Sequence, residues 1–193
     1  MTTATAEPLA WRLPSKGKVG MAALIASDVA IFVIFIVAYL FYLGKSVSGP
    51  TPQVLEVPIF ITVCLLSSSL TIHFAIVALR RSQTRAFTLW WILTVTLGAI
   101  FLGGTAREWT HLMRDKGLYI HTNLFGTTYY SLVGLHALHV TVGLLLLGTV
   151  AVFALFNAVE ERHVEPLDAL SLYWHFVDVV WVAVFSVVYL IGR

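Results

Sequence analysis

The sequence predicts an all-α integral membrane bundle of five transmembrane helices, and three observations carry that prediction. Hydrophobic residues make up 59% of the 193 and charged residues 11%, where a soluble domain carries about 25% charged. Mean hydropathy is +0.87. Five apolar runs each exceed the ~20 residues a helix needs to cross about 30 Å of hydrocarbon. Lipid admits only helices or closed barrels, and these runs are too long and too continuously apolar for barrel strands.

Charge and cysteine content exclude other classes. The net charge of +2 is too small to argue for nucleic acid, and the basic residues sit at the ends of apolar runs instead of forming one patch. The single cysteine, Cys64, lies inside an apolar run, so the chain has neither a disulfide framework nor a CxxC metal motif.

In chain order, residues 1–18 read as a polar N-terminal tail and 19–193 as a single five-helix membrane domain. Arg12, Lys16 and Lys18 stand directly before the first span, about 19–43. That span is too long for the 7–15-residue apolar core of a cleaved signal peptide and carries Asp28, so it is expected to be retained. The second span, about 57–79, follows a Gly49-Pro50-Thr51-Pro52 loop, and the third, about 86–112, follows the tight basic turn Arg80 to Arg85. The fourth covers about 126–156 and the fifth about 170–191. With the N-terminus inside, the inner side collects seven Lys and Arg (Arg12, Lys16, Lys18, Arg80, Arg81, Arg85, Arg162) and the outer side five (Lys45, Arg107, Arg114, Lys116, Arg193). The bias places the N-terminus in the cytoplasm.

Polar residues inside the spans carry whatever chemistry the chain has. An Asp at the centre of a membrane helix costs about 2.5–3.5 kcal/mol on insertion scales, so such groups normally face protein, water or a partner. The candidates are Asp28, Glu108, His136, His139, His175 and Asp178, with His73 and the Ser67-Ser68-Ser69 run in the second span. Imidazole is a common metal and haem ligand. For His136 and His139, however, hydrogen bonding across helices is the preferred reading, because no HExxH or Cys/His cluster accompanies them. For Asp28 two readings stay open: a titratable site in a proton path, or a carboxyl paired inside the bundle. Glu108 beside Arg107 reads as an interfacial ion pair, and Ser67 to Ser69 as packing surface. His175 lies one helical turn before Asp178, and a hydrogen-bonded pair that fixes the fifth helix is preferred over a proton-handling pair. Trp90, Trp91, Tyr129, Tyr130, Trp174 and Trp181 read as interfacial anchors. Gly98, Gly103, Gly104, Gly134 and Gly143 permit close helix packing.

The string Tyr173-Trp174-His175-Phe176-Val177-Asp178-Val179-Val180-Trp181 resembles the C-terminal signature of cytochrome c oxidase subunit III, of the haem-copper oxidases. Gly134-Leu135-His136-Ala137-Leu138-His139-Val140 followed by Gly143 is similar to that family's Gly-Phe-His-Gly-x-His-Val-x-x-Gly helix, with Leu135 and Ala137 as departures. Leu65 to Thr71 resembles its serine-rich helix. Leu97-Gly98-Ala99-Ile100-Phe101-Leu102 with Glu108-Trp109 resembles Leu-Gly-x-x-Phe-Leu followed by Gln-x-x-Glu-Tyr, with Thr105 and Trp109 replacing the Gln and Tyr. Gly20-Met21 through Ser27-Asp28 matches a first helix in which the family usually places Ser-Glu. The likeness runs from about Lys18 to Arg193.

The resemblance implies an accessory subunit of the short, five-helix bacterial form, non-catalytic and without redox centres of its own. No cofactor is then expected in this chain. The haems and copper belong to the catalytic partners, subunits I and II, and a bound phospholipid is possible. Such a subunit packs on subunit I and supports stability, lipid binding and proton uptake during O2 reduction, in a bacterial inner membrane, multi-pass. Asp28, Glu108, His136, His139, His175 and Asp178 become proton-related or buried polar groups, and Tyr173, Trp174, Phe176 and Trp181 a packing signature. The accessory subunit of nitric oxide reductase and that of a quinol oxidase share the signature and stay as alternatives. A stand-alone haem-binding or proton-conducting membrane protein using His73, His136, His139 and His175 is the alternative of another class.

Overall fold

The computed structural model describes residues 16–46 and 48–192; the tail up to residue 15, with Arg12, and Arg193 lie outside the described residues. Five helices long and apolar enough to cross a membrane follow one another: α1 (Lys16–Tyr42), α2 (Ile59–Arg80), α3 (Thr84–Asp115), α4 (Leu124–Leu155) and α5 (Val164–Phe185). A π turn, Ser186–Ile191, extends α5, closed by the i to i+5 bond from Gly192 N–H to Val187 O at 2.9 Å. Neighbours in sequence run up and down, so the start of α1, the α2–α3 turn and the α4–α5 connection share one end of the bundle. Ser82 donates to Glu161 there at 2.7 Å, and Asp168 of α5 receives both Lys18 of α1 at 2.6 Å and Arg80 of α2 at 2.9 Å.

The helices overrun the apolar runs at several ends, for local reasons hydropathy does not register. Lys16 to Lys18 belong to α1, so the last residues of the polar tail are helical. α4 begins at Leu124 because Asn123 caps it, accepting from Gly126 N–H at 2.8 Å. The Asn123 amide also donates to Ser48 O and Pro50 O, fastening the α1–α2 connection to the start of α4. α5 starts six residues before its apolar run, with Glu165 and Pro166 in its first turn, where a carboxylate meets the helix dipole and proline needs no amide partner. α3 continues through Arg107 to Asp115, a polar stretch whose backbone bonds stay internal.

The long α1–α2 connection sets α1 chiefly against α4 and α5, while α2 and α3 form a tight antiparallel pair joined by the turn in which Ser82 takes φ 56°. α5 packs on α1, α2 and α4 and supplies much of the core: Tyr173, Trp174, Phe176, Val177, Asp178, Val180 and Trp181 are all buried. The multi-pass membrane architecture expected from composition is the one observed.

Candidate functional site

Between them, the residues of the α5 signature meet all four other helices. Trp174 points inward, and its indole N–H donates to Ser68 of α2 at 2.8 Å. Its ring lies between two backbones that come close only because they carry no side chain. A Cβ at Gly98 of α3 would fall 2.9 Å from the ring and one at Gly143 of α4 2.8 Å. About two turns later the Trp181 N–H donates to Thr62 at 3.2 Å, and its ring stacks on the His136 imidazole with centroids 4.9 Å apart. The Tyr173 hydroxyl donates to the His139 carbonyl at 3.2 Å, and Phe176 meets Phe32 of α1 edge-on.

The six polar candidates do not form one cluster; the fold distributes them over four places. His175 and Asp178 are joined through Ser69 of α2. The Ser69 hydroxyl lies 3.0 Å from His175 Nδ1 and bonds Asp178 Oδ2, while Asp178 Oδ1 is buried with no partner among the described residues. Asp28 of α1 faces His139 of α4 at 3.6 Å. His139 Nδ1 lies 2.8 Å from Leu135 O, and since a carbonyl only accepts, Nδ1 carries the proton and Nε2 is the nitrogen turned to Asp28. His136 is fully buried among the rings of Phe32, Phe101 and Trp181, with neither ring nitrogen hydrogen-bonded. Glu108 of α3 accepts from Tyr189 at 3.0 Å and from Tyr129 at 3.4 Å, and lines a cleft of about 470 Å³ that also borders Glu56, Arg107 and His111. Among the described residues, no three His, Cys, Asp or Glu side chains converge as a metal-ligand set.

Four expectations need correction. His136 makes no bond across helices, because the faces opposite it present aromatic rings. Arg107 is not the partner of Glu108: adjacent helical residues point about 100° apart, and Glu108 turns inward to the two tyrosines. Ser68 and Ser69 are more than packing surface, being the partners of Trp174 and Asp178. Trp91, Trp174, Trp181 and Tyr129 are buried instead of anchoring at an interface; the Trp91 N–H, for instance, donates to Leu147 O at 2.9 Å.

Comparison with known proteins gives the sequence a family. The family model described as Cytochrome c oxidase subunit III matches residues 13–193, nearly the whole chain. The chain belongs to the cytochrome c oxidase subunit III family. It is 33% identical to the cytochrome c oxidase subunit 3 of Thermostichus vulcanus, over 99% of this chain and 95% of that one, and 34% identical to that of Alkalihalophilus pseudofirmus, over 87% and 83%. It is also 31% identical to a probable quinol oxidase subunit 3 of Staphylococcus saprophyticus, over 78% of this chain and 74% of that one.

Subunit III is an accessory, non-redox member of its complex, and its signature here is occupied by packing. Sequence reasoning missed Thr62, Asp168, Tyr189 and the role of Ser68 and Ser69. A run of three serines in the middle of an apolar helix was the available signal, since each hydroxyl must find a partner in lipid or bond its own helix. Tyr189 carried no signal, because the π turn that accompanies its inward position is not legible in a run of Val, Leu and Ile.

Proposed function

We propose that this chain is the accessory subunit III of a bacterial haem-copper terminal oxidase of the cytochrome c oxidase type. It packs on catalytic subunit I beside subunit II, and supports stability, lipid binding and proton uptake while the haems and copper of those partners reduce O2. The observation that carries this reading is the family match along nearly the entire chain. The exposed apolar residues of α1, among them Ile34, Val37 and Phe41, give a surface for lipid or for a partner subunit. The bias of Lys and Arg favours an N-terminus on the cytoplasmic side of the inner membrane. Asp28, Glu108, His139, His175 and Asp178 serve as polar contacts within the bundle, and His136 fills a site among aromatic rings.

The test is co-purification. A tagged chain drawn from native membranes in mild detergent is expected to bring a haem- and copper-containing subunit, and the isolated chain to show no Soret band. Deleting the chain is expected to leave a spectroscopically intact oxidase that turns over and inactivates sooner. A Soret band in the isolated chain, or a native complex lacking any haem partner, would overturn the assignment. Because one relative is named a quinol oxidase subunit, the donor enters as a second reading. Assaying the purified complex with reduced cytochrome c and with quinol decides between them.

A further inference from the structure

We propose that the cleft between α1, α2 and α5, at the end of the bundle where α1 begins, is a proton inlet. From it, His175 and Ser69 pass a proton to the buried carboxyl of Asp178. Its use in an oxidase rests on the function proposed above. The cleft has a volume of about 260 Å³, many times what one water molecule needs, and its lining supplies polar partners for water. The charged and titratable groups facing it are Lys18 from α1, His73 and Arg80 from α2, and Asp168 and His175 from α5. Asp168 bridges Lys18 and Arg80 across the mouth. His175 is the member of this set that continues inward, because its Nδ1 is 3.0 Å from the Ser69 hydroxyl.

The stoichiometry of that hydroxyl defines the relay. Ser69 owns one proton and has two neighbours, His175 Nδ1 and Asp178 Oδ2, so it can donate to only one and must accept from the other. When Ser69 donates to Asp178, His175 Nδ1 carries the proton it offers to Ser69. A proton arriving from the cleft at His175 Nε2, the nitrogen not engaged by Ser69, releases the Nδ1 proton to the Ser69 oxygen. The Ser69 proton then moves to Asp178 Oδ2. One proton has left the cleft, one carboxylate has become a carboxylic acid, and the imidazole and the hydroxyl end neutral as they began. Return of the imidazole to its first tautomer resets the path. Asp178 is the terminus: the residue is 3% exposed, and its second oxygen has no partner among the described residues. No such path reaches His136, which is equally buried but surrounded by rings.

Infrared spectra of the purified full chain, reconstituted in phosphatidylcholine vesicles and moved from H2O to D2O, test the relay directly. A protonated-carboxyl stretch that Asp178→Asn abolishes is expected, and its shift on deuteration times the delivery of the proton. Ser69→Ala is expected to slow that exchange about tenfold or more, and Ser69→Thr, which keeps a hydroxyl, to leave it near the parent rate. Val77→Phe, which fills the cleft without touching the relay, is expected to slow it as well. Parent-like exchange in Ser69→Ala or in Val77→Phe, or no band assignable to Asp178 across the pH range the protein withstands, would overturn the inlet. Because the measurement uses the chain alone, its outcome is independent of whether a haem-containing partner co-purifies.

Discussion

Twelve of the 22 residues of α5 are buried, against two of the 27 in α1, although α1 has the more hydrophobic sequence. In water the more apolar helix would occupy the core. In a membrane it need not, because lipid tails satisfy apolar side chains as well as protein does, and association is left to close packing and polar contacts. α5 has those contacts: two indole N–H groups with hydroxyl partners, a carboxyl held by Ser69, and a ring lodged between two glycines. α1 has fewer such anchors, among them Lys18 to Asp168, Asp28 to His139 and the buried Phe32 and Tyr39, with Met21, Ile25, Phe35 and Ile36 packed partly buried against the core. The remainder of its surface is available to lipid or to another subunit.

Substitutions can break this contrast, and the largest effect is expected at its centre. Trp174→Ala removes a fully buried ring and leaves Ser68 without its donor. It is expected to cost about 3 kcal/mol, the low end for a buried aromatic because lipid is the alternative environment, read as loss of folded chain in a denaturant titration in detergent. Gly143→Val pushes into the same ring from α4 and is expected to cost about 2 kcal/mol by overpacking, visible as a lowered thermal midpoint. Parent-like stability in that variant would show that Trp174 is not wedged between α3 and α4.

On the α1 side the effects shrink. Asp168→Ala removes the acceptor for both Lys18 and Arg80. These pairs lie partly in solvent, so about 1 kcal/mol or less is expected, together with faster proteolysis at the start of α1 and loss of the salt dependence that the parent shows. Ile34→Ala, on the exposed face of α1, is expected to change the stability of the isolated chain by less than about 0.5 kcal/mol. The same substitution shortening the lifetime of the assembled complex would identify that face as a subunit contact, and no change in either would assign it to lipid.

Much of this was legible in the sequence. Five runs of sufficient length and apolarity determine five membrane helices, because no other element satisfies every backbone amide in hydrocarbon over such lengths. The aromatic and acidic string of α5 carries the family, and the glycines at 98 and 143 announce close approach. Tertiary structure alone decided which groups meet. Ser69 sits 106 residues before His175 and 109 before Asp178, and the Glu108 partners Tyr129 and Tyr189 come from two other helices. Periodicity tells which way a side chain faces on its own helix, but not what faces it from a neighbour. The rotation and depth of each helix are set by the whole bundle, through contacts such as Trp174 between two glycines, and His175 and Asp178 acquire Ser69 as a common partner only once α2 and α5 are so placed.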